Sequence, residues 1–341
     1  MQKIRIGLIG CGNIVQYYLP QLLKLDTAEV VAACDINAQS LKRVGTQAGL
    51  SQSQLFGNSQ QLLQQDSIDA VLVCIPNRYH APVTIAAFEA GKHVFCEKPM
   101  ALNFSEAQMM LQAAEKNDRK LLIGLNSRFE GNSPILKRHV DAGELGEIYY
   151  AKCSFLRRSG IPGWGSWFTK KDVAGSGAIF DIGVHILDLA FWLMANFRPA
   201  TAYASSYAKF GPEKKGLGDW AQPEFEGYFD VEELASAFLK MENGATVFFE
   251  ASWASHIAQD IFNVTLLGDA AGLDLESSSL FTTELNGLSD KKLQYAQEDP
   301  YFAELNHFTN CILNDEKTIT RPDEMLGLQK ALDMILLSCR E

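Results

Sequence analysis

Two stretches of the chain carry side chains able to move protons and stabilise charge. The first is His93-Val94-Phe95-Cys96-Glu97-Lys98-Pro99, an apolar run that stops on an acid, a base and an imino acid. The second is Asp181-Ile182-Gly183-Val184-His185-Ile186-Leu187-Asp188, with an acid, an imidazole and a second acid at intervals of four and three. On a helix those intervals put all three on one face, the first two roughly 5–6 Å apart at Cβ. An imidazole exchanges a proton close to neutral pH, a carboxylate can hold it in place, and a lysine cation can stabilise developing negative charge. Taken singly, the Glu-Lys pair could merely close a strand at the surface, and His185 could be a satisfied core histidine beside a capping Asp. The polar face is continuous within a helix that is otherwise apolar from Gly175 to Met194, and buried charge needs partners or a ligand.

Elements must hold these groups. The few apolar residues before Glu97 are too short for a buried helix and suit a parallel strand sealed on both faces. Proline lacks an amide hydrogen and drives the preceding residue toward extended geometry. Pro99 therefore ends the ladder and leaves Lys98 just beyond the carboxyl edge of a sheet, where open α/β sheets bind ligands. Strands predicted at 4–9, 30–34, 70–75, 93–96 and 120–124 alternate with helices at 17–25, 37–48, 60–65, 82–90 and 104–116. That alternation predicts a doubly wound parallel sheet.

The first strand runs into Gly10-Cys11-Gly12-Asn13-Ile14-Val15. Gly10 and Gly12 supply a tight turn and bare backbone that lets a pyrophosphate rest on a helix N-terminus. Asp35 ends the next strand, at about the distance of ~20 residues expected of an acid that binds a ribose diol. An acid there repels a 2′-phosphate, so NAD is expected over NADP. Val15 replaces the third glycine of the fingerprint, which predicts looser packing of helix on strand. Asp35 could also cap the helix at 37–48. Pro76-Asn77-Arg78-Tyr79-His80 follows another strand on the same edge. Asn77 and His80 could meet the nicotinamide ribose, or cap a turn and the next helix.

After Gly124 the pattern changes. Asn126-Ser127-Arg128-Phe129 leads into a helix near 133–141 and a strand at 148–156. Strand-like runs follow at 201–209, 231–241, 245–253, 262–267 and 272–275 with no helix between them, which predicts a largely antiparallel sheet. Glu242-Asn243-Gly244 signals a hairpin, because Asn-Gly accepts the positive φ of a tight turn. Residues 211–230 form a long Gly-, Pro- and Lys-bearing segment, of the kind that makes a lid or is disordered. Domains are expected at 1–124 and 125–341, with the C-terminal helices free to pack back on the first.

Composition narrows the class. At 341 residues the chain exceeds the ~250–300 at which single cores stop growing. Acids outnumber bases by 41 to 30, so a nucleic acid finds no bulk attraction. The seven cysteines, at 11, 34, 74, 96, 153, 311 and 339, form no Cys-x-x-Cys pair and sit mostly in apolar runs. They read as reduced core residues, not as a disulfide frame or metal site. No signal-peptide layout is present, and no apolar run approaches the ~20 residues needed to span a bilayer, so a soluble cytoplasmic protein with no membrane partner is expected.

Together, Gly10-x-Gly12, Pro76-Asn77-x-x-His80, Gly91-Lys92-His93-Val94-x-Cys96-Glu97-Lys98-Pro99, Arg128-Phe129 and Asp181-Ile182-Gly183-x-His185-x-x-Asp188 resemble the Gfo/Idh/MocA (glucose–fructose oxidoreductase / inositol dehydrogenase) family. The resemblance covers nearly the whole chain, including Val231-Glu232-Glu233-Leu234-Ala235 and Asn243-Gly244-Ala245. It implies an α/β protein: an N-terminal Rossmann domain and a C-terminal α/β domain on a large, mainly antiparallel open sheet, which commonly joins homodimers or homotetramers. The implied activity is hydride transfer between NAD, less readily NADP, and a hydroxyl carbon of a sugar, polyol or related cyclic alcohol.

By that resemblance the catalytic roles fall to Lys98, Asp181 and His185. His185 can take the hydroxyl proton as hydride leaves carbon, Asp181 can hold the imidazole or a substrate hydroxyl, and Lys98 can stabilise alkoxide. Either Lys98 or His185 could be the primary base. Cofactor contacts fall to Gly10, Gly12, Asn13, Ile14 and Asp35, then to Ile75, Pro76, Asn77, His80, Glu97 and Lys98. Substrate contacts fall to Lys98, Arg128, Asp181 and His185, with Trp164 and Trp167 offering apolar faces to a sugar ring or serving the core. Arg157 and Arg158 could meet an anionic substituent or face water. Two alternatives stay open: a redox-neutral glycosidase that retains NAD, and a non-catalytic nucleotide-binding scaffold, which loss of the lysine or the histidine would have favoured.

Overall fold

The computed structural model describes residues 3–285 and 287–340. The chain divides into two compact units, one running to Leu125 and taking in Asp299–Met325, the other Asn126–Glu298 with the chain from Leu326 onward. The second domain expected at 125–341 is thus interrupted, because Asp299–Met325 belong to the first unit.

In the first unit the alternation gives β1 (Ile4–Ile9), α1 (Val15–Leu22), β2 (Ala28–Cys34), α2 (Ala38–Gln47), β3 (Leu55–Phe56), α3 (Ser59–Leu63) and β4 (Ala70–Val73). It continues through α4 (His80–Glu89), β5 (His93–Glu97), α5 (Phe104–Lys116) and β6 (Leu121–Gly124). The strands form one sheet in the order β3-β2-β1-β4-β5-β6, every pair parallel. Residues Val94, Phe95 and Cys96 are wholly buried, as a strand covered on both faces requires. Strand order reverses between β1 and β4, so the crevice beyond their carboxyl ends is the switch point where such sheets bind ligands. Val15 does not loosen the packing: it is fully buried in the core formed with Tyr18, Leu19 and Phe95.

The second unit holds α6 (Ser133–Asp141), β7 (Ile148–Leu156), α7 (Lys171–Ala174), a π-helical turn at Ile179–Gly183, and α8 (Val184–Leu193). Then come β8 (Pro199–Tyr207), β9 (Leu234–Met241), β10 (Thr246–Ser252), β11 (Ile261–Gly268), β12 (Gly272–Asp274), β13 (Ser279–Glu284) and β14 (Gly287–Lys292). They form one eight-stranded sheet, β14-β13-β12-β11-β7-β10-β9-β8, antiparallel except between β10 and β7. The hairpin at Asn243-Gly244 is present, with Gly244 at φ +91°. Strands β13 and β14 lay beyond the predicted ones, although the Asn-Gly pair at 286–287 carries the same signal. Leu239, Val247, Ala151, Leu266, Leu273 and Leu280 make one buried row across six strands, the face on which α8 and the π-turn pack. On the other face Tyr203, Phe238 and Phe248 lie side by side, and Tyr203 is 78% exposed.

Two expectations need correction here. The segment Lys171–Leu193, which holds α7, the π-turn and α8, is by length and composition apolar enough to cross a membrane. Of its most apolar stretch 89% is buried within the protein, the mark of a core helix. Residues 211–230 are not a loose lid: Ile161 bridges to Leu217, Glu224 N donates to Trp164 O, and Asp230 N donates to Thr169 O. Gly165 and Gly227 allow the two segments to touch backbone to backbone, since a Cβ at Gly165 would meet the Glu224 carbonyl oxygen at 2.0 Å.

Candidate active site

In the first unit the turn after β1 is built around two glycines with different reasons for being there. Gly10 sits at φ +93°, and a Cβ would lie 2.1 Å from the Cys74 carbonyl oxygen, so only glycine fits. Gly12 has nothing within 4 Å of its would-be Cβ, leaving bare backbone open at the start of α1. Asn13 is exposed and Ile14 half-buried beside it. Asp35 lies against this turn, Oδ2 accepting from Cys11 N at 2.6 Å and Oδ1 from Asn37 N at 2.7 Å. Asn37, not Asp35, caps α2, accepting from Gln39 N and Ser40 N at 3.0 Å. A fixed acid, open backbone and a helix start fit a dinucleotide.

Lys98 is the first residue past β5, half-buried, and its peptide to Pro99 is cis. Glu97 is 7% exposed; its Oε1 accepts from the Tyr18 hydroxyl at 2.6 Å and its Oε2 from Lys98 N at 3.1 Å. The carboxylate, expected to touch the cofactor, is anchored to Tyr18 and fixes the backbone of the lysine. Tyr18 stands between two acids, with Glu304 Oε2 at 3.4 Å. Burial foremost, then the Glu97 and Glu304 charges, push the phenol well above its ordinary range.

His80, expected at the nicotinamide ribose or as a cap, is fully buried. Its Nδ1 lies 2.7 Å from Pro99 O and its Nε2 2.7 Å from Ile75 O. It braces the turn after β4 against the Lys98-Pro99 turn. Burial pushes the imidazole down to about 4 against the pull of the two carbonyls, and the Lys98 ammonium acts in the same direction as burial. Asn77 is buried at the start of a 3₁₀ turn, and Ile75 and Pro76 are half-buried before it.

In the second unit, the helix expected to carry Asp181, His185 and Asp188 begins as the π-turn Ile179–Gly183 and becomes α-helical at Val184. Such turns are rare and recur at functional sites. Asp181 and His185 are half-buried; Asp188 is fully buried and has a different task. Arg128 donates to it from Nε at 2.9 Å and Nη2 at 2.7 Å, and stands over the rings of Trp192 and Phe197. Arg128, expected to contact substrate, is 0% exposed in its side chain and serves this ion pair.

Asp181 is held from behind. Trp253, fully buried just past β10, donates from Nε1 to Asp181 Oδ2 at 2.8 Å. The start of the π-turn is fixed by Glu232, whose Oε1 accepts from Ser176 Oγ at 2.7 Å, Gly177 N at 2.8 Å and Ile179 N at 3.0 Å. Burial raises this carboxyl, and the three donors oppose the rise. A Cβ at Gly183 would meet Phe249 Cζ at 2.8 Å, so glycine lets the turn seat on the sheet. Trp164 is 5% exposed, donates from Nε1 to Gly211 O, and lies under Lys214, which makes it core to the 160–230 segment. Trp167 is half-buried and stacks on Phe168 at 3.9 Å.

Tyr18, Glu304 and Trp253 were not singled out from sequence, and Glu232 only within the Val231–Ala235 run of the resemblance. Glu304 offered a signal, a lone acid inside the apolar helix α9 (Pro300–Leu313); Trp253 offered none.

Residues 4–125 match the family described as "Oxidoreductase family, NAD-binding Rossmann fold", and residues 135–273 match the "GFO/IDH/MocA C-terminal domain". D-glucoside 3-dehydrogenase of Escherichia coli is 31% identical over 320 residues, 91% of this chain and 88% of that one. The chain belongs to the GFO/IDH/MocA oxidoreductase family. Levoglucosan dehydrogenase of Pseudarthrobacter phenanthrenivorans is 28% identical over 275 residues, 75% of this chain and 69% of its own. A solved levoglucosan dehydrogenase in complex with NADH and levoglucosan superposes with a TM-score of 0.83 over 99% of this chain and 98% of that one, at 20% identity, so the GFO/IDH/MocA fold is shared throughout. The first unit is accordingly a nicotinamide-nucleotide-binding Rossmann domain.

Proposed function

We propose that this protein is an NAD-dependent dehydrogenase or reductase acting on a ring hydroxyl of a neutral pyranose sugar, the C3 hydroxyl of a glucoside. The likeness to D-glucoside 3-dehydrogenase across nine-tenths of the chain carries this reading. The burial of Arg128 against Asp188 takes that arginine out of contact with a charged substituent of the sugar.

When bound, the nicotinamide supplies a hydride acceptor or donor. Gly10, Gly12, Asn13 and Ile14 hold its pyrophosphate on the start of α1, and Asp35 takes the ribose diol and disfavours a 2′-phosphate. Ile75, Pro76 and Asn77 line the turn toward the nicotinamide ribose. His185 takes or returns the hydroxyl proton, Asp181 orients the imidazole or a sugar hydroxyl, and Lys98 stabilises negative charge on oxygen. Trp167 offers a ring face to the sugar. The outer face of the eight-stranded sheet, with Tyr203 and Phe238 exposed, meets a second copy of the chain; light scattering coupled to gel filtration reads the resulting mass.

The test is absorbance at the reduced-nicotinamide band with NAD or NADP and a panel of glucosides, free hexoses, hexose phosphates and polyols. Turnover of glucosides with NAD is the expected result. Preference for sugar phosphates, or for NADP, would overturn the corresponding half.

A further inference from the structure

We propose that Trp253 is a positioning residue for the acid–imidazole pair, its indole N–H holding Asp181 while the Glu232-Glu233 dipeptide holds the frame around both. The inference rests on the proposed roles of Asp181 and His185.

Hydrogen bonds within the second unit point to it. The indole Nε1 of Trp253 donates to Asp181 Oδ2 at 2.8 Å, and the ring is sealed from solvent. The same residue's backbone N donates to Glu233 O at 2.8 Å, fixing the base of the side chain as well as its tip. Glu232 gathers Ser176 Oγ, Gly177 N and Ile179 N on one carboxylate oxygen, and its carbonyl accepts from Ala178 N at 3.1 Å. Glu233 accepts from Lys209 N and from Gly211 N, pinning the segment on the far side. One dipeptide therefore fixes both the turn that carries Asp181 and the tryptophan that meets it.

The physical need is plain. A half-buried aspartate on a π-turn has several staggered rotamers open to it, and a charge-assisted hydrogen bond from a rigid, buried donor selects one. Indole is a donor only, so it meets a carboxylate and cannot compete for a proton. A carboxylate so held keeps its place through a reaction in which its neighbours change charge. Trp253 touches no reacting atom; it acts through Asp181.

Two measurements test this. In nitrogen-labelled protein without cofactor or substrate, the indole resonance lost in Trp253→Phe identifies this ring among the five tryptophans. Asp181→Ala should move that N–H proton upfield while the other four stay in place. In turnover, Trp253→Phe should lower kcat about tenfold with the KM for NAD unchanged, and should cost little more in an Asp181→Ala background, as residues acting as a unit do. An indole resonance indifferent to Asp181→Ala, or a Trp253→Phe enzyme within about twofold of wild type, overturns the proposal. Should Trp253→Phe fail to fold, through-space contacts of the indole N–H assign the ring, and its shift in Asp181→Ala still decides. A wild-type protein that turns over no sugar would instead sink the functional reading, and leave the indole result standing.

Discussion

Arg128 and Asp188 face each other as a two-pronged ion pair, Nε to Oδ2 at 2.9 Å and Nη2 to Oδ1 at 2.7 Å, with both side chains shut off from water. Removing one partner of such a pair strands the other charge in a low dielectric. Asp188→Ala should lower unfolding stability by about 3–5 kcal/mol. Combining Asp188→Leu with Arg128→Met should cost less than either truncation alone, because no orphan charge is left. Urea denaturation of Asp188→Ala, of the single Asp188→Leu and Arg128→Met variants and of their combination measures both effects, and additive losses would contradict the pairing.

Lys98→Ala and His185→Ala should each lower kcat by about 10²–10⁴-fold while the melting temperature moves little. A thermal-shift trace taken beside the rate assay separates lost chemistry from lost fold. If either variant keeps near-wild-type kcat on the best substrate, that residue is not in the proton-transfer machinery.

Asp35→Ser removes the acid that two backbone amides hold against the glycine turn. It should weaken NAD and relieve repulsion of a 2′-phosphate, shifting the ratio of kcat/KM for NAD over NADP by about 10–100-fold toward NADP. Steady-state kinetics with both cofactors read the ratio. An unchanged ratio would mean that the discriminating contact lies elsewhere.

Burial pushes the His80 imidazole down to about 4, so the folded ring is neutral and donates to only one of the Pro99 and Ile75 carbonyls at a time, while an unfolded histidine titrates near 6.5. As pH falls below 6.5 the unfolded chain gains a proton that the folded one refuses. The stability His80 contributes is therefore complete above that pH and is lost progressively on the way down to 4, by up to about 3 kcal/mol. His80→Gln should flatten that part of the stability curve in urea titrations at stepped pH. A curve of unchanged steepness would show that His80 does not supply the slope.

Six of the seven cysteines are buried and all seven are free thiols, with Cys339 the half-exposed one. Burial pushes the thiols of Cys11 and Cys96 up to about 12 and that of Cys34 to about 11, so even those near the glycine turn and Lys98 are poor nucleophiles. A thiol-reactive dye at mild alkaline pH should modify Cys339 first and the remainder only after denaturation. Rapid modification of several thiols in the native protein would refute the burial.

The sequence by itself determined what depends on local pattern. Alternating runs gave the parallel sheet, Pro99 marked the end of β5 with Lys98 next, Asn243-Gly244 marked a hairpin, and Gly10 marked a backbone that only glycine can adopt. It also marked Asp181 and His185, because polar residues at helical spacing in an apolar helix are visible without a fold. Tertiary structure decided which of the polar residues are engaged with one another. Asp188 shared its helix face with His185 in sequence, yet pairs with Arg128; His80 sat in a ligand-edge motif, yet braces two carbonyls from within the core. Trp253 and Glu232 had no local sign of their role, since a hydrogen bond between residues 72 apart, such as that from Trp253 to Asp181, depends on strand register and helix seating. Periodicity reports whether a side chain faces inward. What it meets there is set by segments far along the chain, brought together only when the sheet closes on its helices.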